Sequence, residues 1–140
     1  MERRQMLGFL GVAAAAQTAM AAQPAQHSHT MAAQTLIAAS SDCVVKGEVC
    51  LAHCHQLLGT GDKSMGPCAK SVSEMLALCG ALRSLAAQNA PSLPKLAAVA
   101  MDACGRCEAE CRKHEAHYPC KECGEACAAC AAQCRKIASA

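Results

Sequence analysis

The chain has 140 residues, of which 13 are cysteine, one is phenylalanine, one is tyrosine and none is tryptophan. This length suits a single domain, and a net charge of +2 without a basic patch or several aromatic rings for base stacking excludes nucleic acid as a partner. A core without aromatic rings lacks the large apolar area that they bury, so we expect another group to fill or crosslink it. The odd number of cysteines argues against complete internal disulfide pairing, because one thiol is left over.

The N-terminus is predicted to be a targeting segment that spans residues 1–21. Arg3 and Arg4 precede the short apolar run Met6–Ala16, and small residues around Ala21 form a cleavage point. The run is too short to cross a bilayer, so the mature form is expected to have no membrane partner. The paired arginines resemble the twin-arginine signal, which exports folded proteins and here predicts the bacterial periplasm; an ordinary secretory signal is the alternative.

Residues 22–41 are predicted to be a flexible N-terminal segment. Within it, the sequence MAAQTLIAA at residues 31–39 predicts a short extra helix that ends at Ser40 and Ser41. The remaining residues, 42–140, form the Cys-rich domain.

Four longer helices are predicted in this domain. The first covers residues 42–58 and ends at the turn sequence GTGD, and the second covers residues 64–88, with Ser64 as its cap. After the break NAPSLP, the third covers residues 93–116, with His114 continuing its cysteine face. The fourth begins at Pro119 and reaches about residue 137.

The fourth helix has the most regular cysteine pattern. In PCKECGEACAACAAQC the cysteines are separated alternately by two and three residues, so that they follow the 3.6-residue turn of an α-helix and fall within an arc of roughly 80°. Each of the other helices also carries cysteines on one face. Helices of similar length joined by short loops favour an all-α, antiparallel four-helix bundle, here with a cysteine-lined core.

The up-down topology of such a bundle brings alternate helix ends to one mouth. The residues expected there are His53, Cys54, His55, Met65, Cys68, Cys111, His114, His117 and Cys120. His117 and Tyr118 are interpreted as ordinary surface, and Met75 as core filler rather than ligand.

Several uses of so many thiols can be compared. Cysteines along one helix face rarely meet the geometry of a disulfide with each other, although pairing between helices remains open. Structural zinc takes four ligands from knuckles or turns rather than a straight stripe, and the spacing differs from that of ferredoxin iron–sulfur ligands. If the thirteen cysteines served only to pack the core as small apolar residues, Leu, Ile or Val would pack it better.

Copper(I) suits the pattern best, because this soft ion prefers sulfur ligands and accepts low coordination. If each thiolate bridges two ions and each ion takes two thiolates, the capacity is on the order of ten ions per chain. One Cu⁺ per thiolate also leaves the buried core neutral. The predicted metal ligands are the thirteen cysteines: Cys43, Cys50, Cys54, Cys68, Cys79, Cys104, Cys107, Cys111, Cys120, Cys123, Cys127, Cys130 and Cys134.

The chain resembles the copper storage proteins, in particular their exported, twin-arginine-targeted branch. The resemblance runs from the paired arginines through the C-x6-C-x3-C pattern at Cys43, the SMGPC stretch at Met65, and the sequence ECGEACAACAAQC. It implies a bundle whose cysteines bind many Cu(I) ions, association as a homotetramer, no enzyme activity, and storage of copper. The stored copper would be delivered to copper enzymes or a chaperone, and its toxicity would be limited.

The resemblance also implies ligands at the mouth. His53 and Met65 match the histidine and a methionine found there in similar proteins, whereas Leu57 and Thr60 occupy positions of further methionines. Two other functions remain as alternatives. A disulfide-stapled structural bundle would contain intact disulfides, and a periplasmic thiol oxidoreductase would contain one or two unusually acidic thiols.

Overall fold

The structure is a computed structural model that describes residues 29–140, in which every element is helical. The elements are α1 (Met31–Gly59), a 3-10 turn (Lys63–Met65), α2 (Gly66–Ala87), α3 (Leu93–Arg112) and α4 (Tyr118–Ala138). The predicted targeting segment lies outside the described residues. No helix in the described part of the chain has the length and apolar character needed to cross a membrane.

The predicted short N-terminal helix is the beginning of α1. Thr30 caps α1, since its side chain accepts a hydrogen bond from the backbone N–H of Ala33 at 3.2 Å. The predicted end at Ser40 is wrong because this residue faces the core, where its hydroxyl donates to the carbonyl oxygen of Leu36 at 2.7 Å. Serine therefore does not interrupt the helix here, and one buried stripe continues from Leu36 to Cys54 at steps of four and three residues.

The other helices agree with the predictions apart from their ends. Asp62, rather than Ser64, caps the turn before α2, because its carboxylate accepts a hydrogen bond from the backbone N–H of Ser64 at 3.1 Å. Helix α3 ends at Arg112, so His114 lies in the α3–α4 connection and not on the cysteine face of α3. Pro119 lies in the first turn of α4, as predicted.

The helices form the predicted antiparallel four-helix bundle. Each helix packs against the next one in the chain, and α4 closes the ring by packing against α1. Cysteines from late α1, early α2, late α3 and early α4 meet at one end, which we call the mouth. Cysteines near the middle of the four helices meet farther along the bundle axis.

The two ends of the core differ in chemistry. Beyond the cysteines, the end opposite the mouth is filled by aliphatic side chains at the start of α1, the end of α2 and the start of α3. These are Leu36, Leu82, Ala86, Leu93 and Ala97, which are all buried. The core therefore consists of a sulfur column that is closed by aliphatic packing at one end.

Candidate metal centre

All thirteen cysteines lie in the interior of the bundle. Each has an exposed fraction of 0% and carries a free thiol. Ser40 is the only buried polar residue in the described chain, so no charged side chain shares this interior. Thiolates formed here would therefore need a bound cation to compensate their charge.

Twelve of the thirteen sulfur atoms fall into four groups in which all Sγ atoms lie within 4.8 Å of one another. Along the axis from the mouth, the groups are Cys50–Cys54–Cys68–Cys120, Cys50–Cys111–Cys123, Cys107–Cys123–Cys127, and Cys43–Cys79–Cys104–Cys130. Cys50 and Cys123 each belong to two groups, so the first three groups are joined, and the 3.6 Å contact between the Sγ atoms of Cys127 and Cys43 connects them to the fourth. Cys134 belongs to none of them, but it is buried one helical turn after Cys130 on the same face of α4.

Contacts between sulfur atoms have the spacing of metal ligands and not of disulfides. The Sγ atoms of Cys79 and Cys104 are 3.5 Å apart, and those of Cys107 and Cys123 are 4.0 Å apart. A disulfide bond measures about 2.05 Å. Two thiolates that share one ion at about 2.3 Å each can be separated by up to about 4.6 Å. The thiols can thus take up metal ions with small side-chain movements, and the disulfide-stapled alternative finds no support in these contacts.

Protons are distributed unevenly among the thiols. A hydrogen bond from Cys127 lowers the pKa of Cys104 to about 5, and the same contact raises the pKa of Cys127. Burial, together with the charge of neighbouring Cys50, raises the pKa of Cys54 to about 11. Neighbouring thiols thus share protons, and each bound cation would displace a proton from such a pair.

Two histidines flank the mouth. Nε2 of His53 in α1 lies 3.1 Å from Nδ1 of His117, the residue that precedes α4, and both side chains are half-buried. The prediction that His117 is ordinary surface is therefore wrong. The only feature of the sequence that could have indicated its place at the mouth is that it directly precedes the helix that begins near Pro119, one turn before Cys120.

The remaining predicted mouth residues differ in their surroundings. Met65 is buried in the 3-10 turn that leads into α2, His114 is half-buried, and His55 is exposed to solvent. Tyr118 is exposed, as predicted. Whether His53 and Met65 bind metal stays a prediction.

Comparison with known proteins agrees with this geometry. The sequence profile of the copper storage protein family matches residues 26–139. Among solved structures, the chain is similar to the apo form of copper storage protein 3 from Bacillus subtilis, with 28% sequence identity and a TM-score of 0.67. That match covers 76% of this chain and 98% of the Bacillus subtilis chain. A search of curated proteins gave no match. With a buried column of free thiols in a four-helix bundle and a family match over residues 26–139, the chain belongs to the copper storage protein family.

Proposed function

We propose that the stored copper is Cu(I) and that the thirteen cysteine thiolates are its ligands. The observation that carries the proposal is the arrangement of twelve Sγ atoms in four adjoining groups, inside a core in which the described residues place no charged side chain. Soft thiolates favour Cu(I), which is stable with two or three sulfur ligands. Hard cations such as Mg²⁺ and Ca²⁺ favour carboxylate ligands, and the described core contains no carboxylate.

The expected capacity is on the order of ten Cu(I) ions, because bridging thiolates give about one ion per cysteine. Each Cu⁺ compensates one thiolate, so a filled column is close to neutral. That balance removes most of the cost of holding ionised thiols in the interior. Since Cu⁺ replaces protons, uptake is expected to release about one proton for each thiol that is protonated beforehand.

Zinc provides the sharpest control for this proposal. Structural zinc takes four thiolates in a tetrahedron, and only two of the four groups contain four cysteines. The reduced protein should therefore bind about two Zn²⁺ ions but about ten Cu(I) ions when each is titrated anaerobically against a competing chelator. Equal saturation by both metals at two or three ions would contradict a Cu(I) column.

Copper is proposed to enter at the mouth, with His53 and Met65 as ligands there. Leu57 is half-buried and Thr60 is exposed, and neither offers a thioether at the positions where similar proteins have methionine. The His53–His117 pair supplies imidazole nitrogen at this end instead, and imidazole is a good ligand for copper. The opposite end is filled by Leu36 and its aliphatic neighbours, which favours uptake and release through the mouth.

The role is proposed to be storage without a catalytic step. A thiol oxidoreductase needs a thiolate that a protein or small-molecule disulfide can reach, whereas every cysteine here has an exposed fraction of 0%. The proposed recipients of the copper are copper enzymes or a copper chaperone. Holding copper in the bundle until then would also limit the concentration of free, toxic Cu(I).

Export to the bacterial periplasm by the twin-arginine route is also proposed. Its support is Arg3 and Arg4 before a short apolar run, and a route for folded proteins would allow the bundle to form before transport. Changing both arginines to lysine should leave the precursor in the cytoplasm when cell fractions are probed. Undiminished export of that variant would favour an ordinary secretory signal.

The mature chain is proposed to associate as a homotetramer. An apolar groove between α1 and α4 supports association, because Val45, Val49 and Tyr118 in its lining have exposed fractions of 58%, 56% and 71%. Light scattering should give the mass of four chains, and Val49→Glu should shift it towards one. A monomeric wild-type protein would contradict the proposal.

A further inference from the structure

The inner part of the sulfur column contains a sulfur atom that is not a thiol. Met75 in α2 is fully buried, and its Sδ lies 3.3 Å from Sγ of Cys43 in α1. On another side, Sγ of Cys43 lies 3.6 Å from Sγ of Cys127 in α4. One thiol thus contacts a thioether from one neighbouring helix and a thiol from another.

Gly47 allows Met75 to reach this position. It lies one helical turn after Cys43 on the buried face of α1, and a Cβ atom at this residue would stand 2.6 Å from the Cε of Met75. A larger side chain would therefore require the methyl group of Met75 to move, together with the side chain of Leu76, whose Cδ2 would be 2.9 Å away.

We propose that Met75 is a fourteenth sulfur ligand, which binds Cu(I) through Sδ together with the thiolate of Cys43. This inference rests on the proposed binding of Cu(I) to the column. Thioether sulfur is a soft donor that suits Cu(I), and the three rotatable bonds of methionine let the contact open to admit an ion.

The thioether changes the chemistry of this part of the column. It carries no charge and releases no proton, so an ion held by Met75 and one thiolate is already electrically balanced. It also cannot form a disulfide with Cys43. An ion at this position therefore depends less on thiol ionisation than ions bound by cysteines alone.

X-ray absorption at the copper edge tests the proposal directly. The protein is prepared with selenomethionine, as Met65→Leu so that the predicted mouth ligand cannot contribute, and is loaded anaerobically with Cu(I). We expect copper–selenium scattering in this sample and its loss in the double variant Met65→Leu/Met75→Leu. Leucine has nearly the volume of methionine, so the core should stay filled.

A second measurement needs no substitution in the loaded sample. In wild-type protein labelled with ¹³C in the methionine methyl groups, the Met75 signal should shift as Cu(I) is added, whereas that of exposed Met31 should not. Full copper uptake with only copper–sulfur scattering and an unmoved Met75 signal would overturn the role of Met75 and leave storage intact. Failure to take up copper at all would overturn the proposed function and this inference with it.

Discussion

Replacing Cys123 by serine should remove more copper than replacing a cysteine outside the four groups. Cys123 is shared by two groups of three sulfur atoms, so its thiolate is expected to bridge an ion of one group to an ion of the other. We expect the Cu(I) capacity to fall by about two ions. The fold should tolerate the change at a cost on the order of 1 kcal/mol, because a buried hydroxyl in a helix can donate to the carbonyl oxygen four residues earlier, as Ser40 does.

Cys134→Ser is the matched control. It lies in the same helix and is equally buried, but its sulfur belongs to none of the groups. The Cu(I) capacity of the Cys134→Ser protein should fall by at most one ion. Anaerobic titration against a Cu(I) chelator gives both capacities, and urea unfolding of the apo proteins gives both stabilities. Equal copper losses in the two variants, with both folded, would refute the idea that Cys123 joins neighbouring sites.

Three further predictions concern pH, packing and the mouth. Above about pH 9, Cys54 and the other thiols with a raised pKa keep protons that the unfolded chain releases. The apo protein should therefore lose up to about 1.4 kcal/mol of stability per pH unit for each such thiol. Thermal melting at increasing pH should show this loss in the apo protein but not in the copper-loaded protein. Gly105→Ala, where a Cβ would meet nothing within 4 Å, should raise the free energy of unfolding by about 0.5–1 kcal/mol, whereas Gly47→Ala should gain nothing or lower it in the same urea experiment. Alanine at His53 or His117 should slow Cu(I) uptake in stopped-flow experiments and remove at most one ion; unchanged rates would exclude a role for the pair in uptake.

The main features of the fold followed from local patterns in the sequence. Cysteines at steps of three and four residues fix a helix and its buried face, and short loops between such helices leave little choice but an antiparallel bundle. The error at Ser40 arose because serine usually favours helix ends, whereas here its hydroxyl bonds to the helix backbone inside the core.

The mouth and the inner column were harder to predict because they depend on contacts between distant residues. His53 and His117 are 64 positions apart, and nothing local distinguishes His117 from a solvated histidine. The sulfur contact of Met75 with Cys43 likewise joins residues 32 positions apart in different helices. Periodicity identifies which face of a helix is buried, but not which side chain of a neighbouring helix it meets.

Anaerobic titration of the reduced mature protein, residues 22–140, is the decisive test of copper storage. Cu(I) is added against a competing chelator while free thiols are counted. We expect tight uptake on the order of ten ions, with thiols becoming unreactive in proportion to the copper bound. Saturation at one or two ions, with most thiols still free, would contradict a copper store and reduce the sulfur column to packing.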